Sequence, residues 1–286
     1  DALLVDATTD ERMDEVSSQG YAWGYIGSVV PFIACLAVVL MHERLGLTLQ
    51  AAMQISFAIT AAWWVAFTIP LLRNVEQTHF KPLEDHALSK AITGVGATLV
   101  RIWRDETLRN YLIAYFFYID GVHTIIKLST SYGSDLGIEG TQLVLALLVT
   151  QFVAFPSAIA YGKLGTRLGT KRMLLVGITF ITCFAAFFLR SAAEFWFLAI
   201  MVGLFQGGIQ ALSRSEFGKL CPKEHANEYF GFFDIFGKYA AIMGTFIVGT
   251  MTALTGNGSL GVFSIVILFV VGFVMMLKVP ERRAAT

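Results

Sequence analysis

Eight long apolar stretches dominate this 286-residue sequence, and each is close to the length that crosses a bilayer. They lie at about 21–41, 50–72, 110–131, 142–161, 173–189, 195–213, 229–254 and 259–277. About 20 helical residues span a hydrocarbon core that is about 30 Å thick. Because lipid offers the backbone no hydrogen-bond partners, each stretch must be helical, and none alternates as a barrel strand would. The sequence therefore predicts an all-α polytopic membrane protein with eight transmembrane helices.

The composition is also typical of a protein embedded in a lipid bilayer. Hydrophobic residues make up 56% and charged residues 15%, whereas a soluble domain has about 25% charged residues. The 24 phenylalanines exclude disorder, and 21 basic residues balanced by 21 acidic ones give no reason to expect a nucleic-acid partner. The three cysteines and five histidines lack the spacing of metal ligands, so we expect no metal and no cofactor.

Basic residues are concentrated in the loops on one side of the predicted helices, which we call the basic side. Most of the 21 Lys and Arg fall there: Arg12, Arg73, Lys81, Lys90, Arg101, Arg104, Arg109, Lys163, Arg167, Lys171, Arg172, Arg214, Lys219, Lys223, Lys278, Arg282 and Arg283. Positive loops stay in the cytoplasm. This asymmetry predicts a multi-pass protein of the cell membrane with both ends of this chain in the cytoplasm. An even number of helices agrees with this orientation, because it places both ends on the same side.

The longest loop, 73–109, contains a further helical pattern. Apolar residues recur there at intervals of three and four: Leu88, Ile92, Val95, Leu99, Ile102 and Trp103. Such spacing predicts an amphipathic helix that lies along the lipid headgroups. We interpret it as a connector, with a regulatory role as the alternative.

The third stretch carries three ionisable side chains, Asp120, His123 and Lys127. At 100° per residue, His123 lies about 60° and Lys127 about 20° from Asp120, so all three share one stripe near mid-membrane. A charge there costs about 2.5–3.5 kcal/mol and normally faces a partner or a hydrated cavity. In a structural interpretation these groups fix helix packing. In a functional one, Asp120 and His123 contact a proton or solute, and Lys127 binds an anion or supplies a counter-charge.

Polar residues in the sixth and seventh stretches leave the same two alternatives open. Gln206 and Gln210 lie on a stripe that ends at Arg214, and glutamine amides serve equally as solute ligands or as interhelical hydrogen-bond partners. Asp234 and Lys238 stand four residues apart on one helix face, either as a neutralising pair or as part of a gate. We assign the two glutamines to solute binding and the three charged residues to gating or packing.

The segment 162–172, with the sequence GKLGTRLGTKR, resembles the signature loop of the major facilitator superfamily. We predict it to be a tight cytoplasmic loop, and the matching residues are Gly162, Arg167, Gly169, Lys171 and Arg172. Thr166 stands where that superfamily has an aspartate, so the role of that aspartate is not carried over. The resemblance implies a gating or structural role for this segment, as a conformational latch.

This resemblance also implies a register, because the superfamily has twelve helices in two halves of six. If the loop joins helices eight and nine, the chain holds helices five to twelve, with four further helices as its missing N-terminal partners. The predicted domains are then 1–72, the last two helices of the first half; 73–109, the central cytoplasmic loop; and 110–286, the six-helix second half.

A narrower resemblance covers essentially the whole chain. The segments 16–27, 114–126 and above all 207–238 are similar to bacterial relatives of the fungal vacuolar amino-acid effluxer linked to autophagy. This likeness implies that the third and sixth stretches line a central cavity. It also implies secondary transport by alternating access, in the direction of efflux, of a small polar solute of the amino-acid class, with protons as the coupling ion.

Two other classes of protein remain as alternatives: a membrane-embedded enzyme, and a receptor or scaffold that does not transport. The sequence has no HExxH metal pair and no GxSxG elbow, which disfavours an enzyme. It also has no GxxxxGK[ST] loop, which excludes ATP-driven pumping within this chain. The expected partners are the lipid bilayer and a small solute, and we expect a monomer.

Overall fold

The computed structural model describes residues 1–79, 87–135, 137–185 and 192–281, and within these ranges the regular structure is helical. In chain order the α-helices are α1 (Leu4–Ala7), α2 (Met13–Leu40), α3 (Leu49–Asn74), α4 (Ala87–Arg104), α5 (Glu106–Asp135), α6 (Gly140–Leu168), α7 (Thr170–Ala185), α8 (Ala192–Leu220), α9 (Ala226–Tyr239), α10 (Ile242–Thr255), α11 (Gly258–Phe263) and α12 (Val266–Leu277). The prediction of an all-α polytopic fold is confirmed.

Seven helical segments in the described ranges are long and apolar enough to cross a membrane. They are Asp10–Leu40, Leu49–Asn74, Glu106–Ser131, Gly140–Leu168, Ala193–Leu220, Lys223–Thr255 and Gly258–Leu277. They correspond to all the predicted stretches except the fifth. That stretch, 173–189, matches α7, which is described as far as Ala185; the remainder lies outside the described residues.

The seventh predicted stretch forms two helices rather than one. Between α9 and α10, Ala241 has φ +76°, the left-handed conformation that an L-residue other than glycine rarely adopts. Its neighbour Ala240 is extended in ψ, at 147°. The helix axis is therefore interrupted at 240–241, and the sequence gives no proline or glycine signal for a break at that point.

Helices α2, α6 and α8 pack against one another as one group. Close approach is possible because glycines on α8 face the backbone of α6: a Cβ on Gly203 would lie 2.8 Å from the carbonyl oxygen of Thr150, and one on Gly207 would lie 3.0 Å from that of Ala154. Rows of small residues allow this kind of contact between membrane helices. Helix α3 contacts the rest of the chain mainly through α2.

A second group surrounds the main hydrophobic core. Helix α5 packs on α12, α8, α9 and α10, and α7 packs on both α8 and α12. Stacked aromatic rings fill the space between α5, α8 and α9, with Tyr115 and Phe233 at 4.1 Å between ring centroids and Phe217 and Phe233 at 4.8 Å. This packing fixes the position of α9 against α5.

The amphipathic helix predicted within 73–109 is present as α4, but its apolar residues do not all point the same way. Ile102 is buried in the core, whereas Val95, Leu99 and Trp103 are exposed. The side chains of residues 87–93, which include the predicted Leu88 and Ile92, lie outside the description. Asp105 separates α4 from α5 and accepts hydrogen bonds from the N–H groups of residues 107 and 108.

The short helix α1 is tied to the segment that follows α3. Asp6 Oδ1 accepts hydrogen bonds from the backbone N–H groups of Thr78 and His79, at 3.1 and 2.9 Å, and from the Thr78 hydroxyl at 2.7 Å. Burial raises the pKa of the Asp6 carboxyl, but these hydrogen bonds outweigh that effect and leave its pKa below the ordinary value. The ionised form is therefore the one that holds α1 in place.

Candidate functional site

Two adjoining cavities lie between α2, α5, α8 and α9. The smaller, of about 210 Å³, is lined by Tyr21, Tyr115, Ile119, His123, Gln210, Asp234, Gly237 and Lys238. The larger, of about 420 Å³, is lined by Asp1, Gly20, Tyr21, Gly24, Tyr25, Ser28, Gln151, Gln210 and Arg214. Tyr21 and Gln210 belong to both walls. We call the pair of cavities the central site.

A chain of hydrogen bonds crosses the central site from α2 to α5. The Tyr25 hydroxyl donates to Oε1 of Gln210 at 2.8 Å, and Nε2 of Gln210 lies 3.4 Å from Nε2 of His123. Because an amide nitrogen donates and does not accept, His123 Nε2 is the acceptor and the ring proton lies on Nδ1. Gln210 and His123, which were assigned separately to solute or proton contact, are thus brought together by the fold.

Arg214 forms the cationic wall of the larger cavity. Its Nε donates to the Ser17 hydroxyl at 3.0 Å, and its Nη2 donates to the Ser17 carbonyl oxygen at 2.9 Å, which holds the guanidinium against α2. The guanidinium carbon stands 4.6 Å from the centre of the Tyr21 ring, and Nη1 lies 3.2 Å from Asp1 Oδ1. The sequence analysis assigned Arg214 to gating or packing, and the structure also gives it a place in the cavity wall.

Asp234 forms the anionic wall of the smaller cavity. It shares the wall of this cavity with Tyr21, whose ring stands against the Arg214 guanidinium. Lys238 lies one helical turn further along α9 and is exposed. A carboxylate on a cavity wall is a suitable ligand for a positively charged group.

Asp120 lies apart from the central site, fully buried behind its wall. Its Oδ1 accepts hydrogen bonds from the backbone N–H groups of Ala241 and Gly244, at 2.7 and 3.0 Å, and from the Thr124 hydroxyl at 3.2 Å. It therefore caps the N-terminus of α10 at the helix break. The expectation of one shared hydrated stripe is not met for Asp120, because its carboxylate is turned toward α10, and the structural interpretation fits it.

Lys127 lies off the central site, exposed on α5 one turn beyond His123. Gln206 lies beside the central site. It lines an apolar groove of about 1400 Å³ bounded by α2, α3, α6 and α8, and this groove shares Gly24, Ser28 and Gln151 with the wall of the larger cavity. Among the five residues assigned to solute or proton binding, the fold gathers His123 and Gln210 in the central site, places Gln206 next to it, and leaves Asp120 and Lys127 outside it.

The segment 162–172 is mostly helical, so the prediction of a tight loop across it is wrong. Helix α6 continues to Leu168, and the chain turns at Gly169, where φ is +100°. Lys171 donates to the carbonyl oxygens of residues 277 and 279, at 3.1 and 2.6 Å, and Arg172 forms an ion pair with Glu281. These two basic residues hold the end of α12 to α7. Arg167 is exposed on α6.

Gly162 has a different function from the one its place in the motif suggests. A Cβ at this position would lie 2.5 Å from Cβ of Ser18 and 3.1 Å from the carbonyl oxygen of Asp14. The absence of a side chain lets α6 touch α2 directly. Gly162 therefore allows the close packing of α6 against α2 and does not form a turn.

A buried polar cluster on the basic side was missed by the sequence analysis. Asp14 on α2 lies 2.7 Å from Lys219 Nζ on α8, accepts from the Thr170 hydroxyl at 2.8 Å and also accepts from the Ser215 hydroxyl. Lys219 donates to Thr170 as well, at 2.8 Å. We call these four residues the basic-side clamp. Asp14 is 3% exposed. In the sequence, the signal for this cluster was an acidic residue just before a long apolar stretch.

Together these contacts define the chemistry of the central site. A guanidinium and a carboxylate line adjoining cavities, an aromatic ring stands between them, and an amide and an imidazole offer further hydrogen bonds. The site can hold a small molecule that carries both a negative and a positive group. Among the described residues no group of histidine, cysteine and carboxylate side chains is arranged to hold a metal ion.

Comparison with known proteins agrees with the fold. The profile of the family described as "Vacuole effluxer Atg22 like" matches residues 4–286. The chain is 51% identical over 288 residues to the Bacillus subtilis (strain 168) protein named "Uncharacterized MFS-type transporter YxiO", covering 99% of this chain and 67% of that protein.

Fungal proteins are more distant relatives. The chain is 26% identical over 292 residues to Autophagy-related protein 22 of Cryptococcus neoformans var. neoformans serotype D (strain B-3501A), covering 94% of this chain and 53% of that protein. It is 25% identical over 297 residues to Autophagy-related protein 22 of Coccidioides immitis (strain RS), covering 90% and 47%. The chain thus spans about half the length of these fungal relatives.

The fold and the comparisons define a polytopic membrane protein of the major facilitator type. Within that class, the chain belongs to the vacuole effluxer Atg22-like family.

Proposed function

We propose that the protein is a secondary transporter whose central site binds a small solute carrying both an ammonium and a carboxylate group, such as an amino acid. One observation carries this proposal: Arg214 and Asp234 line adjoining cavities that share Tyr21 in their walls. The names of the relatives, an MFS-type transporter and a vacuole effluxer, support transport across a membrane. They also make an enzyme the weaker alternative.

The two charges have complementary tasks in this proposal. Arg214 receives the carboxylate in place of the Asp1 carboxylate that its Nη1 contacts in this structure, while its bonds to Ser17 keep the guanidinium in position. Asp234 receives the ammonium group. Gln210 can donate to or accept from the solute, and its bond to His123 places a titratable imidazole within reach. We propose His123 as the proton carrier if transport is proton-coupled.

Alternating access follows from the basic-side clamp. In this structure the clamp joins the start of α2 to α7 and α8, and we take this arrangement as the state that is closed on the basic side. Opening on that side requires Asp14 to separate from Lys219 and Thr170. We propose that the clamp forms and breaks once in each transport cycle, and that the closed form releases solute on the opposite side, as efflux requires.

The proposed setting is the cell membrane, with the basic side and both ends of the chain in the cytoplasm. The distribution of basic loops supports this orientation. Division of the chain into 1–72, 73–109 and 110–286, and its equivalence to helices five to twelve, stay predictions, as does a monomeric state.

Counterflow in proteoliposomes tests the proposal. Vesicles are loaded with an unlabelled neutral amino acid, and entry of the labelled compound is followed. We expect saturable uptake for the native protein and at least a ten-fold loss for Asp234→Asn, because the ammonium group loses its charged partner. Absence of counterflow for every amino acid tested would contradict the proposal.

Matched controls separate loss of the site from loss of the fold. Glu43→Gln and Arg44→Gln remove the same charges at exposed positions in the loop between α2 and α3, and should transport normally. Because Arg214 also bonds to Ser17, its Gln variant is paired with a thermal unfolding measurement. Asp234→Glu, which restores the charge, should recover part of the activity. A normal rate in Asp234→Asn would rule out the assigned role.

A further inference from the structure

Helix α4 presents three distinct faces, and only one of them packs on the rest of the protein. Thr98 and Ile102, separated by about 40° around the helix, are 1% and 2% exposed and form the protein-facing side. The remaining circumference is open over residues 94–104, where side chains are described. What this open surface can contact depends on the residues it carries.

The second face is apolar and exposed. Val95, Leu99 and Trp103 follow one another at intervals of four residues, and they are 54%, 42% and 55% exposed. In projection they form an arc centred about 100° from Thr98. A tryptophan among aliphatic side chains is typical of a helix that lies in the headgroup region of a bilayer.

The position of α4 relative to the membrane supports a lipid contact. Asp105 caps α5, which begins at the next residue and crosses the membrane. Arg109 of α5 donates to the carbonyl oxygen of Trp103 at 3.1 Å, which fixes the end of α4 beside the start of that span. Helix α4 therefore ends at the level where the headgroups begin.

The third face is cationic. Arg104 is exposed, at about 240° from Thr98, and Arg101 lies between this face and the protein with its side chain 45% exposed. We propose that α4 docks on an anionic lipid surface, with the apolar face inserted between the lipids and Arg104 against negatively charged headgroups. Charge complementarity selects anionic over neutral lipid.

A polar link connects this docking surface to the central site. The Thr98 hydroxyl donates to Oε2 of Glu228 at 2.6 Å, and Arg101 Nη2 lies 3.7 Å from the same oxygen. Glu228 is in the first turn of α9, the helix that carries Asp234 into the smaller cavity. When α4 moves on the bilayer, these contacts move the start of α9 with it. Anionic lipid bound to α4 therefore changes the position of α9.

Hydrogen exchange of the reconstituted protein tests docking without relying on transport. Exchange is compared in vesicles of phosphatidylcholine and in vesicles where about a third of the lipid is phosphatidylglycerol. We expect the anionic vesicles to slow exchange across 94–104. In Arg104→Gln this slowing should shrink about five-fold, because one arginine near an anionic surface is lost. Arg73→Gln, a matched change at the end of α3, should keep the slowing at α4.

Equal exchange of 94–104 in both kinds of vesicle would overturn the proposal, as would an Arg104→Gln variant that responds like the native protein. The link to α9 has its own readout. Anionic lipid should also slow exchange across 226–239 in the native protein, whereas in Glu228→Ala, which removes the acceptor of the Thr98 hydroxyl, the slowing should remain at α4 and disappear at α9. Loss of both responses in Glu228→Ala, or of neither, would contradict the link.

Discussion

The carboxylate of Asp120 accepts backbone hydrogen bonds from Ala241 and Gly244 at the point where α9 ends and α10 begins. Asp120→Ala leaves these two buried N–H groups without an acceptor, and we expect the free energy of unfolding to fall by about 1–2 kcal/mol. Asp120→Asn keeps one oxygen acceptor and should lose less. Thermal unfolding in detergent measures both. Identical midpoints for Asp120→Ala and the native protein would show that the cap does not stabilise α10.

The helical periodicity predicted that Asp120 and His123 lie near one another on α5, but it did not predict that they have different partners. The 60° between Asp120 and His123 is small enough for a shared stripe and large enough for one side chain to reach α10 and the other to reach α8. The outcome depends on the break at Ala241, which creates free N–H groups beside Asp120. A carboxylate in a membrane helix signals a partner, and the sequence cannot say whether that partner is a solute or another helix.

The Asp6 carboxyl predicts a pH dependence for the attachment of α1. Its pKa in the folded protein lies below the ordinary value of about 3.9, so its contribution to stability is present above that value. The contribution is lost as the pH falls through the depressed pKa of the folded state. We therefore expect Asp6→Asn to unfold at a lower temperature than the native protein at neutral pH, and at the same temperature in strong acid. A difference in unfolding temperature that increased as the pH fell would contradict this prediction.

At the scale of helices, Gly162 provides the contact that brings α6 against α2. A methyl group there would meet Ser18 at 2.5 Å and the Asp14 backbone at 3.1 Å, so Gly162→Ala must move one helix. We expect a loss of about 1–3 kcal/mol in the free energy of unfolding. Gly249→Ala, in the middle of α10 with nothing within 4 Å of the added carbon, is the matched control and should be neutral or slightly stabilising. Equal effects of the two changes would contradict this packing.

The presence of the helices was predictable because each membrane-spanning segment must form its backbone hydrogen bonds internally in lipid. Helix ends and breaks were not, because they depend on partners far away in the sequence. Helix α2 begins at Met13, several residues before its apolar stretch, since Asp14 is paired with Lys219 on α8. For the same reason the resemblance to a signature loop misplaced the turn, which lies at Gly169, and did not indicate that Gly162 packs against α2.

At the scale of the whole molecule, the charges and the cavities form one arrangement. The basic-side clamp joins α2, α7 and α8, and Arg214 and Asp234 place opposite charges in the walls of the central site. The sequence pointed to Gln210 and His123 as solute contacts. It did not indicate that Arg214 and Asp234 share Tyr21 as a common neighbour, because those three residues come from α8, α9 and α2.

Equilibrium binding to the purified protein tests the central claim most directly. A labelled neutral amino acid is compared with its N-acetyl derivative, which lacks the ammonium charge, and its methyl ester, which lacks the carboxylate. We expect the amino acid to bind at least about ten-fold more tightly than either derivative, because each derivative leaves one charged wall without a partner. Asp234→Asn should remove the discrimination against the N-acetyl form, and Arg214→Gln that against the ester. Equal affinity for all three compounds, or discrimination that survives both substitutions, would contradict the account.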